Sequence, residues 1–193
     1  MKPTLGSFGK AMKVETDIKR IEMLAAQKED DNWKFRCFLK RRCDLPSEEI
    51  DALFQRFSED VTREIDCTEC ANCCRKVSPL LNSKDVETLA ALLGLSRGVF
   101  CEKYLVESEE DDGFHFKILP CPFLKGNFCT VYSSRPHDCR SYPHLHKKDR
   151  VFSMNAILSN CSVCPIVYNV YELLKEELSD TGQMDGFVDF DYE

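Results

Sequence analysis

The sequence lacks any apolar run long enough to cross a lipid bilayer. Its longest such stretch, residues 89–93, is far shorter than the roughly 20 residues that a membrane-spanning helix needs. The first residues also lack the apolar segment of a secretory signal, and no internal repeat is present. These absences argue against membrane-spanning, exported and repeat proteins, and we expect the chain to reside in the cytoplasm, away from membranes.

The sequence also lacks a broad excess of positive charge. It carries 26 Lys and Arg against 33 Asp and Glu, for a formal net charge of −7. Seven of the acidic residues follow Lys175, where no Lys or Arg occurs, so the rest of the chain is formally neutral. This balance offers no wide basic surface and argues against a nucleic-acid partner.

Cysteine is what the sequence has in excess. Twelve cysteines are present, and four of them fall within residues 67–74. Because thiols stay reduced in the cytosol, this density predicts metal or redox chemistry rather than disulfide bonds. A disulfide framework is the alternative if the chain is exported, but the adjacent pair Cys73-Cys74 suits a metal-binding turn better.

Nine of these thiols are candidate metal ligands. Cysteines separated by two residues can turn both sulfurs to the same side of a tight turn and so bind one ion. The turn-forming residues near Cys121, Cys129 and Cys139 also suit ligands drawn from loops. The full set is Cys67, Cys70, Cys73, Cys74, Cys121, Cys129, Cys139, Cys161 and Cys164. Nine thiols suffice for two four-ligand sites, or for one site with thiols left over.

Two kinds of metal centre fit this pattern. Zinc takes four thiolate or histidine ligands in a tetrahedral structural site. A [4Fe-4S] cluster is the alternative, because cysteines at the same spacing followed by a distant Cys-Pro, as at Cys121 or Cys164, are typical of bacterial ferredoxins. Soft thiolates suit both, so we expect zinc or iron. His137 is a further candidate ligand beside Cys139.

Three cysteines fall outside this set. Cys37, Cys43 and Cys101 lie in stretches with helical periodicity and without a second cysteine at ligand spacing. Free cysteine commonly behaves as a small buried hydrophobic residue. We therefore expect these three to pack in the core.

The apolar periodicity predicts an α+β fold, a mainly helical small domain with a β-hairpin and loops organised around a cysteine metal cluster. The hairpin is expected at the turn 125–127, which would bring Cys121 and Cys129 together. A helix is expected to begin at Ser47 with that side chain as its cap. Finer expectations are a helix break at 30–32, a short helix over 96–105 and a strand over 128–132.

The chain divides into five predicted parts. They are a flexible leader at 1–13, an N-terminal helical extension at 14–63, a cysteine-cluster metal-binding domain at 64–165, a closing helix at 166–178 and an acidic tail at 179–193.

Three further strings carry a resemblance to a known family. Pro120-Cys-Pro-Phe-Leu124, Cys129-Thr-Val-Tyr132 and Arg135-Pro-His-Asp-Cys-Arg-Ser-Tyr-Pro143 accompany the cysteine cluster. Together they resemble the CxxCxxCC cysteine-cluster family, whose YkgJ-type members are described as zinc- or iron-chelating domains. The resemblance covers residues 64–165. It maps the family motif onto Cys70, Cys73, Cys74, Cys121, Cys129 and Cys139, with Cys67 present as in many members.

Three functions are consistent with these residues. The first is a cytosolic metal-binding protein in which the thiolate-bound metal is structural. The second is an iron–sulfur redox or protein-modifying enzyme, because some larger relatives of that family are flagellin lysine methylases, although this chain has no Gly-rich cofactor loop. The third is a protein-interaction module that uses the basic and aromatic residues 33–42.

Overall fold

A computed structural model describes residues 13–181 and Met184. Within this part of the chain, ten α-helices and two small antiparallel hairpins form a mainly helical α+β fold, as predicted. No helix among the described residues is long and apolar enough to span a membrane. The predicted leader, except Lys13, and most of the predicted acidic tail lie outside the described residues.

The elements follow one another in this order. The helices are α1 (Ile18–Gln27), α2 (Glu29–Arg41), α3 (Ser47–Glu64), α4 (Cys67–Cys70), α5 (Asn72–Lys76), α6 (Ser83–Leu92), α7 (Arg97–Tyr104), α8 (His137–Ser141), α9 (Met154–Cys161) and α10 (Pro165–Asp180). The strands are β1 (Leu105–Glu107), β2 (Phe114–Phe116), β3 (Leu124–Lys125) and β4 (Phe128–Cys129). Short 3-10 helices cover Tyr132–Ser134 and Arg150–Ser153.

The larger of two hydrophobic cores lies among α1, α2, α3, α9 and α10, and we call it the helical core. Helix α3 buries one face at helical spacing, from Ile50 to Val61, against α10. Helix α10 is buried nearly all round, and its Tyr171 ring meets Phe35 edge to face at 5.3 Å between centroids. The Tyr171 hydroxyl donates a hydrogen bond to the carbonyl of Asn32, which satisfies the polar end of this ring inside the core.

A smaller core lies under α6, α7 and the β1–β2 hairpin, and we call it the hairpin core. Strands β1 and β2 pair with Leu105 opposite Phe116. The Phe116 ring meets Phe123, from the loop before β3, edge to face at 5.6 Å. Cys121 and Cys129 pack against this core, so the β3–β4 hairpin belongs to it as well.

A short segment, residues 66–76, joins the two cores, and we call it the knuckle. Its helices α4 and α5 meet at Ala71, whose left-handed backbone (φ 49°) reverses the chain between them. The Asn72 side-chain amide donates to the carbonyl of Val163, just before α10, at 2.8 Å. The Cys121 amide, at the edge of the hairpin core, donates to the carbonyl of Cys74 at 2.8 Å. Each core is thus hydrogen-bonded to the knuckle.

Several local predictions need correction. Ser47 is the first residue of α3 and not its cap, because Pro46 takes the N-cap position; the buried Ser47 hydroxyl makes no hydrogen bond within the described residues. The N-terminal helix breaks at Lys28, before residues 30–32, and the buried Asn32 lies inside α2. Leu105 leaves α7 and begins β1. The strand expected over 128–132 ends at Cys129.

One carboxylate connects the N-terminal helices to α10. Glu172 forms ion pairs with Lys28, between α1 and α2, and with Lys175, one turn along α10. Burial by itself would raise the pKa of Glu172, but the hydrogen bonds from Lys175 and Lys28 outweigh it and hold that pKa below its usual value. The charged form of Glu172 therefore stabilises the fold.

We expect Glu172→Gln to lower the free energy of unfolding in urea at pH 7 by about 1–3 kcal/mol, the range for a hydrogen bond to a charged group. A depressed carboxyl pKa contributes stability that is present above the unfolded value and lost as the pH falls through the folded value. The gap between wild type and variant should therefore close below about pH 4. The matched control is Glu176→Gln, an exposed site on the same helix, and an equal loss there would contradict the assignment.

Candidate metal centre

A cleft of about 300 Å³ opens between the knuckle, the β3–β4 hairpin and α8. Six of the nine predicted ligand thiols line it: Cys67, Cys73, Cys74, Cys121, Cys129 and Cys139. Much of the remaining wall consists of aromatic and apolar side chains, with the arginines Arg135 and Arg140 at the α8 side. Segments that are far apart in the sequence thus bring their cysteines to one place.

The β3–β4 hairpin brings two thiols to the knuckle. Its register places Leu124 opposite Cys129, and the Leu124 amide donates to the carbonyl of Cys121 at 3.0 Å. The predicted hairpin is therefore confirmed, and it holds Cys121 near Cys129. The turn of the hairpin is attached to the knuckle by Asn127, whose amide donates to the carbonyl of Glu69 at 2.6 Å.

Arg75 makes a second attachment between the knuckle and the hairpin turn. One guanidinium nitrogen donates to the carbonyl of Cys70 at 3.0 Å, and the other donates to the carbonyl of Gly126 at the same distance. The planar guanidinium can reach both carbonyls at once because its donors are fixed in a fork. These contacts hold the hairpin turn against the cysteine-bearing helices.

Helix α8 carries Cys139 and is held by two carboxylates. The His137 amide at its start donates to Asp85 Oδ1 at 2.9 Å, while Asp85 also completes the capping box of α6 with Asn82. Asp138 accepts from the Leu80 amide at 3.1 Å. His137 lines a separate pocket with Asp85 and is not among the residues that line the cleft. His137 as a ligand therefore stays a prediction without support from its position.

Four thiols on the hairpin side of the knuckle are mutual neighbours, and we call them the cleft group. They are Cys74, Cys121, Cys129 and Cys139. Burial raises the pKa of Cys121 to about 11 and the pKa of Cys139 to about 12. All six pairs within the group interact electrostatically. Four soft ligands in such proximity suit a tetrahedral zinc site or an iron–sulfur cluster.

The remaining knuckle thiols and the thiol directly before α10 form a second set, which we call the knuckle group. They are Cys67, Cys70, Cys73 and Cys164. Cys67 and Cys73 also line the cleft. Burial raises the pKa of Cys164 to about 12, and the neighbouring thiols Cys67 and Cys70 raise it further. Burial also raises the pKa of Cys67, with Cys70 as the next cause. These thiols therefore lie close together as well.

The two groups meet at the adjacent residues Cys73 and Cys74. A hydrogen bond from the Cys73 thiol is the main cause that lowers the pKa of Cys74 to about 6, and Arg75 and Arg135 lower it further. The same hydrogen bond raises the pKa of Cys73 well above its ordinary value. Thiolate character, which metal ligation requires, is thus favoured at Cys74.

The donor chemistry fits zinc or iron, although the thiols are not yet arranged as ligands. Among residues 13–181, no three Cys, His, Asp or Glu side chains converge closely enough to hold an ion. Zinc–sulfur bonds of about 2.3 Å place neighbouring sulfurs of a tetrahedral site roughly 3.8 Å apart. Binding would therefore require these thiols to lose their protons and turn toward a common centre.

Cys161 lies apart from both groups. It is buried in α9, and its thiol donates to the carbonyl of Ile157 at 3.5 Å. Burial raises its pKa to about 12, and its strongest charged neighbours are Lys175 and Glu172 rather than other thiols. The prediction that Cys161 is a ligand remains untested, and this position gives it little support.

Two of the other three cysteines pack as expected, whereas Cys37 is not among the residues that pack against either core. Cys43 packs against the helical core and Cys101 against the hairpin core. Cys37 is half-buried in α2, within reach of the Arg36 guanidinium. None of these three lines the cleft.

Tyr142 is a site residue that the sequence analysis missed. It lines the cleft, and its hydroxyl donates to Asn160 at 2.6 Å. Burial raises the pKa of Tyr142, and the neighbouring thiols Cys164 and Cys73 raise it further, so its hydroxyl stays protonated. The position of Tyr142 in the string around Cys139 was the available signal, but nothing in that string assigns it a role.

Comparison with known proteins is consistent with this donor set. The model of the CxxCxxCC family, described as a proposed zinc- or iron-chelating domain, matches residues 66–165. No curated protein and no solved structure matches the chain. The matched region is more than half of the 193 residues and contains every thiol of the cleft group and the knuckle group. The chain therefore belongs to the CxxCxxCC family of zinc- or iron-chelating domains.

Proposed function

We propose that this chain is a cytosolic metal-binding protein in which the cleft group holds a structural zinc or iron centre. The observation that carries the proposal is that four thiols from three separate segments, the knuckle, the β3–β4 hairpin with the loop before it, and α8, line one cleft. All twelve cysteines lie among the described residues as free thiols. Cys74 and Cys139 would be ligands from helices, and Cys121 and Cys129 would be ligands from the hairpin.

The small size of the hairpin elements supports a structural role. Strands β3 and β4 have two residues each, and α8 has five. Elements this short are not stable in isolation, because they make too few hydrogen bonds and bury too little apolar surface. A metal bound by the four cleft-group thiols would connect the knuckle, the hairpin and α8 at one point. The free energy of metal binding would then add to the stability of the fold.

A second candidate, an iron–sulfur redox or protein-modifying enzyme, rests on the openness of the cleft. The Arg135 guanidinium stacks on the Tyr132 ring at 4.0 Å, beside the cleft thiols, where it could meet an anionic substrate. Elemental analysis with an absorption spectrum, on protein purified without oxygen, separates the candidates. Zinc without a visible band supports the structural centre, whereas iron with acid-labile sulfide and a broad visible band supports the redox enzyme.

The structure gives less support to the third candidate, a protein-interaction module on residues 33–42. Phe35, Phe38 and Leu39 are buried in the helical core, so these side chains are occupied in packing. Trp33 is partly exposed, and the Arg36 guanidinium covers its ring at 4.9 Å. A protein partner for this helix stays a hypothesis.

Substitution of one cleft ligand should remove the metal of that centre. We expect Cys139→Ser to lose the metal held by the cleft group, because a hydroxyl is a poor replacement for a thiolate on zinc or iron. Metal content per chain, measured by elemental analysis, should fall by at least half. Cys101→Ser is the matched control, since Cys101 is also half-buried but lies outside the cleft. Equal metal loss in both variants would contradict the assignment.

Metal removal should loosen the hairpin core before the helical core. With chelator, amide hydrogen exchange at Cys121 and Leu124 should accelerate by more than about tenfold, because the opening free energy of this unit would lose the metal contribution. Amides in the middle of α3 and α10 serve as the internal control and should change much less. Uniform acceleration across both cores, or no change in the hairpin, would count against a structural role in the hairpin core.

A further inference from the structure

Five candidate thiols remain after the cleft group is assigned, and four of them lie on the knuckle or beside it. Cys67, Cys70 and Cys73 follow one another across α4 and α5, with two residues between each cysteine and the next. The Ala71 amide donates to the carbonyl of Cys67 at 3.2 Å, which closes the turn that contains Cys67 and Cys70. The left-handed backbone of Ala71 then turns the chain from α4 into α5, which carries Cys73.

The fourth thiol, Cys164, comes from the other end of the chain. The Asn72 side-chain amide donates to the carbonyl of Val163 at 2.8 Å, and each of these residues precedes a cysteine of the group. The Val163 and Cys164 amides both donate to the carbonyl of Asn160, at 3.1 and 2.9 Å, which fixes the turn before α10. A contact across 91 positions of sequence thus places Cys164 beside the knuckle.

The two groups touch at Cys73 and Cys74, but their other thiol neighbours differ. Cys73 is hydrogen-bonded with Cys74, and its further thiol neighbours are Cys164 and Cys67. Cys164 interacts in turn with Cys67 and Cys70. Cys74, by contrast, is a neighbour of Cys121, Cys129 and Cys139. Adjacent residues of a helix project about 100° apart, so Cys73 and Cys74 can contribute to different centres.

We infer that the chain holds two separate thiolate metal centres, the second formed by Cys67, Cys70, Cys73 and Cys164. This inference rests on the proposed metal binding and assigns to it a second ion or cluster. The first centre would connect the knuckle to the hairpin core. The second would connect the knuckle to the helical core, where Cys164 is buried at the start of α10. Its ligand chemistry is that of a soft metal, zinc or iron.

Zinc stoichiometry tests the inference directly. The metal-free chain, reduced and kept without oxygen, is reconstituted with Zn²⁺ alone. The number of bound zinc ions per chain is then measured by native mass spectrometry. We expect two zinc ions in the wild type, one in Cys164→Ser and one in Cys139→Ser. Cys161→Ser is the matched control, because Cys161 is the other buried member of the same Cys-x-x-Cys pair, and this variant should keep both ions.

Alkylation of the zinc-loaded protein maps which thiols each ion protects. In Cys164→Ser, Cys67, Cys70 and Cys73 should become reactive while Cys121 and Cys129 stay protected. Cys139→Ser should show the reverse pattern. Cys67→Ser provides an independent variant, because Cys67 is exposed and its substitution leaves the helical core intact; it too should bind one zinc.

The outcomes distinguish the two proposals. One zinc in the wild type, or two zinc ions in both Cys164→Ser and Cys67→Ser, would overturn the second centre and leave the proposed function standing. Loss of an ion in Cys161→Ser would also overturn this assignment of ligands. No zinc in the wild type, with no iron bound under the same conditions, would overturn the proposed function and the second centre together.

Discussion

The two hydrophobic cores of this protein are both hydrogen-bonded to one short segment, the knuckle. The knuckle receives a backbone hydrogen bond from Cys121 on one side and gives a side-chain hydrogen bond to Val163 on the other. Each such bond contributes only about 0.5–1.5 kcal/mol net. Arg75 and Asn127 add further hydrogen bonds between the knuckle and the hairpin turn. The segment that makes these contacts is also the one richest in thiols. A metal centre on each side would reinforce both connections.

The sequence predicts the elements that depend on local patterns better than those that depend on distant contacts. Helices α3 and α10 follow from apolar residues at helical spacing, and the β3–β4 hairpin follows from a three-residue turn signal. Helix α8 was missed because its five residues show no periodicity and are positioned by Asp85, 52 residues away. The cap of α3 was misassigned because Pro46, with its fixed backbone, takes the position expected for Ser47.

For the candidate site too, the sequence predicts local features better than contacts between distant residues. The sequence indicates that cysteines with two residues between them can share an ion, and this spacing, with the turn residues near Cys121, Cys129 and Cys139, gives the nine candidate thiols. Spacing cannot indicate which distant cysteine joins which turn, because that depends on contacts such as Asn72 to Val163. The pair Cys161 and Cys164 illustrates the limit. Both satisfy the spacing, yet Cys161 lies inside α9 with its thiol directed to Ile157, while Cys164 lies at the start of α10 beside the knuckle.

The distribution of buried charge explains why these thiols would favour a cation. Each thiolate formed in either group would meet a partly buried site and the partial negative charge of its neighbours, which raises most of the pKa values. Arg75 and Arg135 lower the pKa of Cys74, but two guanidinium groups cannot neutralise four thiolates. A zinc or iron ion supplies positive charge at the centre of the group, where it acts on all four sulfurs at once. The arrangement that makes ionised thiols unfavourable without metal therefore also favours the binding of a metal ion.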